Sequence, residues 1–223
     1  MELAIDTSTR FASIGMSNNG ELAAELTWRS DRNHSVELTP SIISLLRRLD
    51  ISVSDLEAIC IASGPGGFSA LRVGMSTAKS MAMSLEIPLV SVGTLNIEAQ
   101  PYLGLGSTVC ALIGAGRTRV YLGEFKDSSE PAYRVVAHEE LLASVSPDSI
   151  FCGEGVSQVA ELLDSEPGVV VAETQGPTRR AGVLASLGYE QLQQGKIADA
   201  MTLEPLYLRS SQVNMANRTW RNR

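Results

Sequence analysis

A glycine-dense turn between an apolar run and a helical pattern constrains this chain more than any other feature. The apolar run spans residues 56–62, and the turn contains Gly64, Gly66 and Gly67. The apolar spacing behind the turn predicts a helix that continues to about residue 85. Such a turn can aim backbone N–H groups at an anion, where the helix dipole favours negative charge. A tight βα connection needs the same residues, so the turn indicates either phosphate binding or a structural role.

Length, charge and cysteine positions limit the class of protein. The chain has 223 residues, of which 44% are hydrophobic, enough for one large domain or two small lobes. Its net charge of −7 argues against a protein that binds nucleic acid by itself, because phosphate contacts need a basic face. Cys60, Cys110 and Cys152 lie in apolar runs, which predicts buried, reduced thiols. We find no signal-peptide pattern and no membrane-spanning run, and we expect a cytoplasmic protein without a membrane partner.

The first part of the chain predicts a meander of strands followed by a mixed α/β unit. Three apolar runs within residues 3–28 predict strands, and Asn19-Gly20 predicts a hairpin turn because both residues tolerate positive φ. Helical apolar spacing predicts a helix at residues 35–49, with Pro40 in its first turn. The strand and helix around the glycine turn, a strand at 89–92 and a helix at 95–102 complete this unit.

The second part of the chain repeats this order of elements. Strands are predicted at residues 108–113, 120–125, 133–137, 149–152 and 169–172, and helices at 139–145, 156–163 and 178–194. The repeat predicts two lobes, residues 1–103 and 104–223, with a C-terminal tail that is free to pack back on the first lobe. The expected fold is the two-lobed α/β fold of actin-like and sugar-kinase-like ATPases, with ribonuclease-H-like lobes, mixed sheets and flanking helices.

Three segments carry a resemblance to a known family. They are residues 3–9 (LAIDTST), residues 64–74 (GPGGFSALRVG) followed by Ala78-Lys79, and residues 203–209 (LEPLYLR). In this order and in a chain of this size they resemble the TsaB family, bacterial accessory proteins of tRNA threonylcarbamoyladenosine synthesis. The resemblance extends to residues 32–35 (RNHS) and 119–121 (RVY).

The resemblance implies a scaffold without catalytic residues, metal or cofactor of its own. Proteins of this family bind TsaD, a catalytic paralogue that transfers a threonylcarbamoyl group to the adenosine beside the anticodon of certain tRNAs. A small ATPase, TsaE, completes the assembly. The resemblance further implies a homodimer when the partner is absent, and contact with tRNA mainly through the complex.

The helices at residues 35–49 and 69–85 are the expected partner surface. They carry apolar stripes, and Gly74 and Ala78, four positions apart, would let another helix approach closely. The predicted contact residues are Leu38, Ile42, Leu45, Leu71, Met75, Ala78, Lys79 and Ala82. The alternative is that the stripes are simply core. We favour docking because one sheet face cannot bury both helices all round.

The chain lacks the metal-binding pair of the catalytic paralogue. That protein has a His-x-x-x-His pair beyond the glycine-turn helix, and the order of elements places the corresponding positions here near Thr94 and Glu98. The chain's two histidines, His34 and His138, lie far apart without ligand-spaced neighbours. No metal site is expected.

Phosphoryl transfer in the actin-like fold uses an Asp at the end of the first strand of each lobe. Asp6 meets this requirement in the first lobe, but the second lobe has Gly114 where relatives often carry Asp. The candidate nucleotide or anion residues are Asp6, Thr7, Ser8, Gly64, Gly66 and Gly67. Alternatively, Asp6 accepts hydrogen bonds from the turn that follows it.

Two further hypotheses remain open. The basic tail at residues 217–223 contains Trp220 and could contact tRNA, although a solvated end explains it as well. The rival function is an autonomous enzyme, either an actin-fold ATPase or kinase or a metallopeptidase-like protein.

Overall fold

The computed structural model describes residues 1–105, 107–126, 131–146, 148–172 and 176–208. These residues form two units: Met1–Ile97 together with Pro177–Tyr207, and a second unit within Glu98–Gly176. The basic tail at residues 217–223 and the end of the 203–209 motif lie outside the described residues. No helix in the described ranges combines the length and the apolar character that crossing a membrane requires.

Five strands of the described residues form the sheet of the first unit, here called sheet A. They are β1 (Glu2–Asp6), β2 (Phe11–Asn18), β3 (Glu21–Arg29), β4 (Ala58–Ala62) and β5 (Leu89–Val92), in the order β3-β2-β1-β4-β5. The first three form the predicted antiparallel meander, and β4 and β5 extend it in parallel. Asn19 and Gly20 have φ of 51° and 78°, which confirms the hairpin turn.

Two helices cover one face of sheet A. They are α1 (His34–Arg48) and α2 (Phe68–Leu85). Leu3 and Ile5 of β1 point to this side, and they share a core with Leu38 of α1 and Met75 of α2. Because successive strand residues alternate between faces, Ala4 points to the other side. The short helix α3 (Thr94–Ala99) follows β5 and ends in a 3-10 turn at Gln100–Tyr102.

The second unit repeats the strand order of the first. Among its described residues, β6 (Val109–Gly114), β7 (Arg119–Phe125), β8 (Ala132–Ala137), β9 (Ile150–Cys152) and β10 (Val170–Val171) form sheet B in the order β10-β9-β6-β7-β8. Again three strands form an antiparallel meander and two extend it in parallel. The predicted mixed sheets of an actin-like, ribonuclease-H-like fold are therefore confirmed, and so is the internal repeat.

The helices of the second unit are shorter than the sequence predicts. Residues 139–145 form two 3-10 turns, His138–Glu140 and Leu142–Ser144, in place of one helix. The predicted helix at 156–163 is a 3-10 segment, Glu154–Gln158, followed by the short α4 (Ala160–Asp164). In the first of these stretches Leu141 is buried, and Leu142 and Val145 pack against the same core without forming a full helix.

The last helix, α5 (Ala181–Gln193), belongs to the first unit, although the sequence division at residue 103 placed it in the second. It covers the face of sheet A opposite to α1 and α2, where Leu184 and Ala185 share a core with Ala4 of β1. The described residues 177–207 return to the first unit because this second apolar face of sheet A needs a cover.

Small residues let α5 approach sheet A closely. The Cβ of Ala181 would lie 2.9 Å from a Cβ placed on Gly15 of β2. A Cβ on Gly188 would overlap Cys60 Sγ and would lie 2.8 Å from Cys60 Cβ, which is closer than real Cβ contacts allow. Gly188 is therefore required by packing, even though glycine disfavours a helix interior.

Gly188→Ala is expected to destabilise the protein by about 1–3 kcal/mol, because the overlap with Cys60 outweighs the better helix propensity of alanine. Urea unfolding followed by circular dichroism measures the change. Ser186→Ala is the matched control, since Ser186 is exposed on the same helix, and its effect should stay within about 0.5 kcal/mol. A stabilised Gly188→Ala protein would contradict this packing argument.

Candidate functional site

The glycine turn packs against the turn that follows β1. The Ser8 carbonyl oxygen accepts a hydrogen bond of 2.7 Å from the Gly67 N–H. A Cβ on Gly66 would overlap the same carbonyl oxygen, and a Cβ on Gly64, at φ 108°, would lie 2.9 Å from the Leu206 carbonyl oxygen. These close approaches explain Gly64 and Gly66 without a ligand.

Thr94 at the start of α3 connects the two turns. Its Oγ1 accepts a hydrogen bond of 3.0 Å from the Gly64 N–H and lies 2.9 Å from Ser8 Oγ. Thr7 Oγ1 donates to the Ala70 carbonyl oxygen at 2.7 Å. The predicted anion-binding donors at Gly64, Gly67 and Thr7 thus already have acceptors within the protein. These contacts favour the structural role of the turn over an anion site.

Asp6 is buried at the end of β1, with 2% of its side chain exposed. Its Oδ1 accepts a hydrogen bond of 2.7 Å from the Ser8 N–H, as the turn hypothesis predicts. Its Oδ2 accepts 2.7 Å from Nε of Arg179, which is equally buried. Arg179 Nη2 also donates to Thr9 Oγ1 at 2.7 Å. Asp6 is therefore the centre of an internal polar network.

The corresponding position of the second unit is Gly114, at the end of β6. A Cβ at Gly114 would overlap the side-chain amide nitrogen of Gln158. The Gln158 side chain therefore occupies the space that a side chain at residue 114 would need. An Asp at this position could not be added without moving Gln158.

The positions predicted to correspond to the histidine pair have other roles. Besides Thr94, described above, Glu98 is buried with 2% exposure, and its Oε1 accepts a hydrogen bond of 3.3 Å from the Glu154 N–H. The Glu98 carbonyl oxygen accepts a contact of 3.6 Å from Cys152 Sγ. Among the described residues, no group of three or more His, Cys, Asp or Glu side chains could hold a metal ion.

The three cysteines are buried, as predicted. Burial raises the pKa of Cys60 to about 12 and that of Cys110 to about 11. Burial also raises the pKa of Cys152. All three thiols are therefore uncharged near neutral pH, and none has the thiolate character of a nucleophile.

The structure corrects the predicted partner residues on α1 and α2. Leu38, Ile42, Leu45, Leu71, Met75, Ala78 and Ala82 are each at most 5% exposed. They pack beneath the two helices, Leu71 near Gly64 and the other six in the core shared with β1 and β4. Gly74 faces Thr7 of the β1 turn and does not face another helix. The apolar stripes are core, because sheet A takes up the apolar face of both helices.

Lys79 is also engaged within the protein. Its Nζ donates to the carbonyl oxygens of Leu203 at 3.0 Å and of Met201 at 3.4 Å. Further along this segment, Tyr207 contacts Phe68 with ring centroids 5.1 Å apart and accepts a hydrogen bond from Arg72 Nε at 3.0 Å. The segment after α5 therefore runs along α2 and fixes several of its side chains.

The outer sides of α1 and α2 form an open groove of about 530 Å³. It is lined by Thr39, Ile42, Ile43, Leu46, Val53, Ser76, Thr77, Ser80 and Met81. Ile43 and Val53 are each 42% exposed. None of the described residues that line the groove is charged. An exposed apolar groove without charges is typical of a surface that binds another protein.

Comparison with known proteins identifies the family. The profile of TsaD, tRNA N6-adenosine threonylcarbamoyltransferase, matches residues 27–175. The chain belongs to the TsaD family. Within it, the chain is 29% identical to the tRNA threonylcarbamoyladenosine biosynthesis protein TsaB of Bacillus subtilis, over 95% of each chain. This match confirms the resemblance to TsaB that the sequence motifs carry.

Solved structures share the fold of this chain. YeaZ from Pseudomonas aeruginosa is 25% identical, with a TM-score of 0.76 over 93% of this chain and 99% of that one. Component A of (R)-2-hydroxyglutaryl-CoA dehydratase from Acidaminococcus fermentans has a TM-score of 0.54 at 11% identity, over 86% of this chain and 98% of that one. The second likeness concerns the fold alone.

Sequence reasoning missed two residues of this TsaD-family site. Arg179 is 173 positions from Asp6, and nothing near it in the sequence distinguishes it from its neighbour Arg180. Gln158 lies in a segment that was predicted as an ordinary helix. A buried partner for Asp6 could have been expected, since a buried carboxylate needs one, but its identity required the fold.

Gly66 and Gly67 offer a test of the glycine turn. Gly66→Ala should destabilise the protein by about 1–3 kcal/mol, because the new methyl group meets the Ser8 backbone, which cannot move aside. Gly67 is the N-cap of α2, has φ −66°, and has no atom closer than 3.7 Å to an added Cβ. Gly67→Ser should therefore stabilise by a few tenths of a kcal/mol. Thermal melting distinguishes these opposite signs.

Proposed function

We propose that this chain is an accessory subunit of the machinery that adds threonylcarbamoyl to adenosine in tRNA. It binds and activates a catalytic TsaD-type subunit and works with a TsaE-type ATPase. Its contact with tRNA is made mainly through that complex, as its net charge of −7 favours. The similarity to TsaB along almost the whole chain supports the pathway.

The observation that carries the scaffold role is the uncharged groove between α1 and α2. Ile43 and Val53 expose apolar surface there, whereas Leu38, Leu45 and Met75 of the same helices are buried in the core. We assign the docking of the TsaD-type subunit to this groove. In the absence of that partner, two copies of the chain pair through the same groove, because contact with a second copy removes its exposed apolar surface from water.

The rival function is an autonomous ATPase or kinase. The contacts of Asp6 with Arg179 and of Gln158 at Gly114 argue against it, since neither position presents a free carboxylate. Turnover of ATP near 1 per second by the purified chain, lost on Asp6→Ala, would support the enzyme instead. A metallopeptidase has no supporting observation among the described residues.

Ile43→Glu is expected to abolish binding of the TsaD-type subunit without unfolding the chain. Ile43 is 42% exposed in the groove, so a charge there remains hydrated in the free protein but becomes buried in the complex. A loss of about 2 kcal/mol weakens binding about thirtyfold. Co-elution in size-exclusion chromatography and titration calorimetry measure the effect.

Ile197→Glu is the matched control, because Ile197 is 55% exposed and does not line the groove. It should bind like the unmodified protein. Met75→Glu, in contrast, should unfold the first unit, since Met75 is 3% exposed in the core. If Ile43→Glu and Ile197→Glu both bind normally, the docking surface lies elsewhere.

Depletion of the protein in its own cells is expected to lower threonylcarbamoyladenosine in bulk tRNA. Mass spectrometry of digested tRNA nucleosides gives the level directly. Re-expression of the Ile197→Glu variant should restore the modification, and re-expression of Ile43→Glu should not. An unchanged level after depletion would contradict the assignment to this pathway.

A further inference from the structure

The two-lobed fold places a carboxylate at the end of its first strand, where active members of the fold use it to hold a divalent cation and its water. For Asp6 to do so, at least one oxygen must face a space open to a hydrated cation. The contacts around Asp6 therefore show whether a hydrated cation could bind there.

Both oxygens of Asp6 have partners within the first unit. Oδ1 accepts the Ser8 N–H at 2.7 Å, and Oδ2 accepts Arg179 Nε at 2.7 Å. Asp6 and Arg179 are each 2% exposed. Thr9 Oγ1 accepts the Arg179 Nη2 donor at 2.7 Å, so a further polar atom of this turn is also committed to the guanidinium. The negative charge is balanced where water does not reach it.

We infer that Arg179 is the permanent counter-ion of Asp6, and that these residues do not fit a divalent cation. A cation at Asp6 Oδ2 would lie against the guanidinium, which cannot give up its charge at any ordinary pH. Displacing Arg179 would leave a buried, unpaired cation, which is strongly unfavourable. The corresponding strand end of the second unit, Gly114, offers no carboxylate either.

The pair has a positioning role in place of a catalytic one. Asp6 ends β1, and Arg179 lies two residues before α5, so the ion pair fixes the entry of α5 relative to the first strand. This inference does not depend on the proposed scaffold function. Its test measures the stability of the isolated chain, which the choice of partner does not affect.

A double-mutant cycle with Asp6→Asn and Arg179→Met tests the pairing. Each single change leaves a buried charge without its partner, and should lower the folding equilibrium constant by at least about a hundredfold. The double variant removes both charges and should recover to within about tenfold of the unmodified protein. Arg179→Lys keeps the positive charge, so its folding equilibrium constant should lie between those of Arg179→Met and the unmodified chain.

Arg180→Met is the matched control. Arg180 is adjacent in sequence, but it is 61% exposed, and its partner Glu25 keeps a hydrogen bond from the Gly182 N–H. Its loss should change the folding constant by less than about fivefold. If Arg179→Met fails to fold while the double variant folds, the coupling is confirmed. If the loss of folding free energy in the double variant equals the sum of the losses in the two single variants, the pairing is overturned.

Titration calorimetry with Mg²⁺ and ATP gives the second readout. The unmodified chain should show no Mg²⁺-dependent ATP binding that Asp6→Asn removes. Binding that requires Mg²⁺ and disappears in Asp6→Asn, while circular dichroism shows that this variant is still folded, would mean that Asp6 is free to hold a cation, and would overturn the inference.

Discussion

The cover that α5 provides for sheet A is the constraint on which the first unit depends. Strands β1 and β4 alternate between two apolar faces, with Leu3 and Ile61 on one side and Ala4 and Cys60 on the other. The side of α1 and α2 is filled by large side chains. The side of α5 carries small ones, so the helix must approach closely, and Gly188 allows this at Cys60.

The return of α5 also determines the role of Asp6, and separate local contacts determine the roles of Gly114, Thr94 and Glu98. The segment that leads into it brings Arg179 to Asp6, and this pairing turns a carboxylate suited to cation chemistry into a structural link. In the second unit, Gln158 fills the corresponding space at Gly114. Thr94 and Glu98 hold turns through neutral or backbone hydrogen bonds. Residues at the positions expected for catalysis thus stabilise their own units.

Most of the architecture could be predicted from the sequence. The hairpin at Asn19-Gly20 and the repeat of strands follow from local patterns, because period-2 alternation and turn residues act over a few positions. The placement of α5 could not be predicted in this way. Its apolar residues show that it is buried, but not against which sheet, since that depends on an uncovered face formed by residues far away in sequence.

The site was harder to predict than the fold, and the partner surface shows why. Apolar periodicity marks the side of a helix that is removed from water, and in α1 and α2 that side is used by sheet A, as Leu38 and Met75 demonstrate. A docking surface must instead stay exposed in the free protein, so its apolar residues are fewer and interspersed with hydroxyl side chains. Ile43, next to the buried Ile42, is one of these. The docking role that we propose for Ile43 rests on its exposure within a groove, which only the packed helices define.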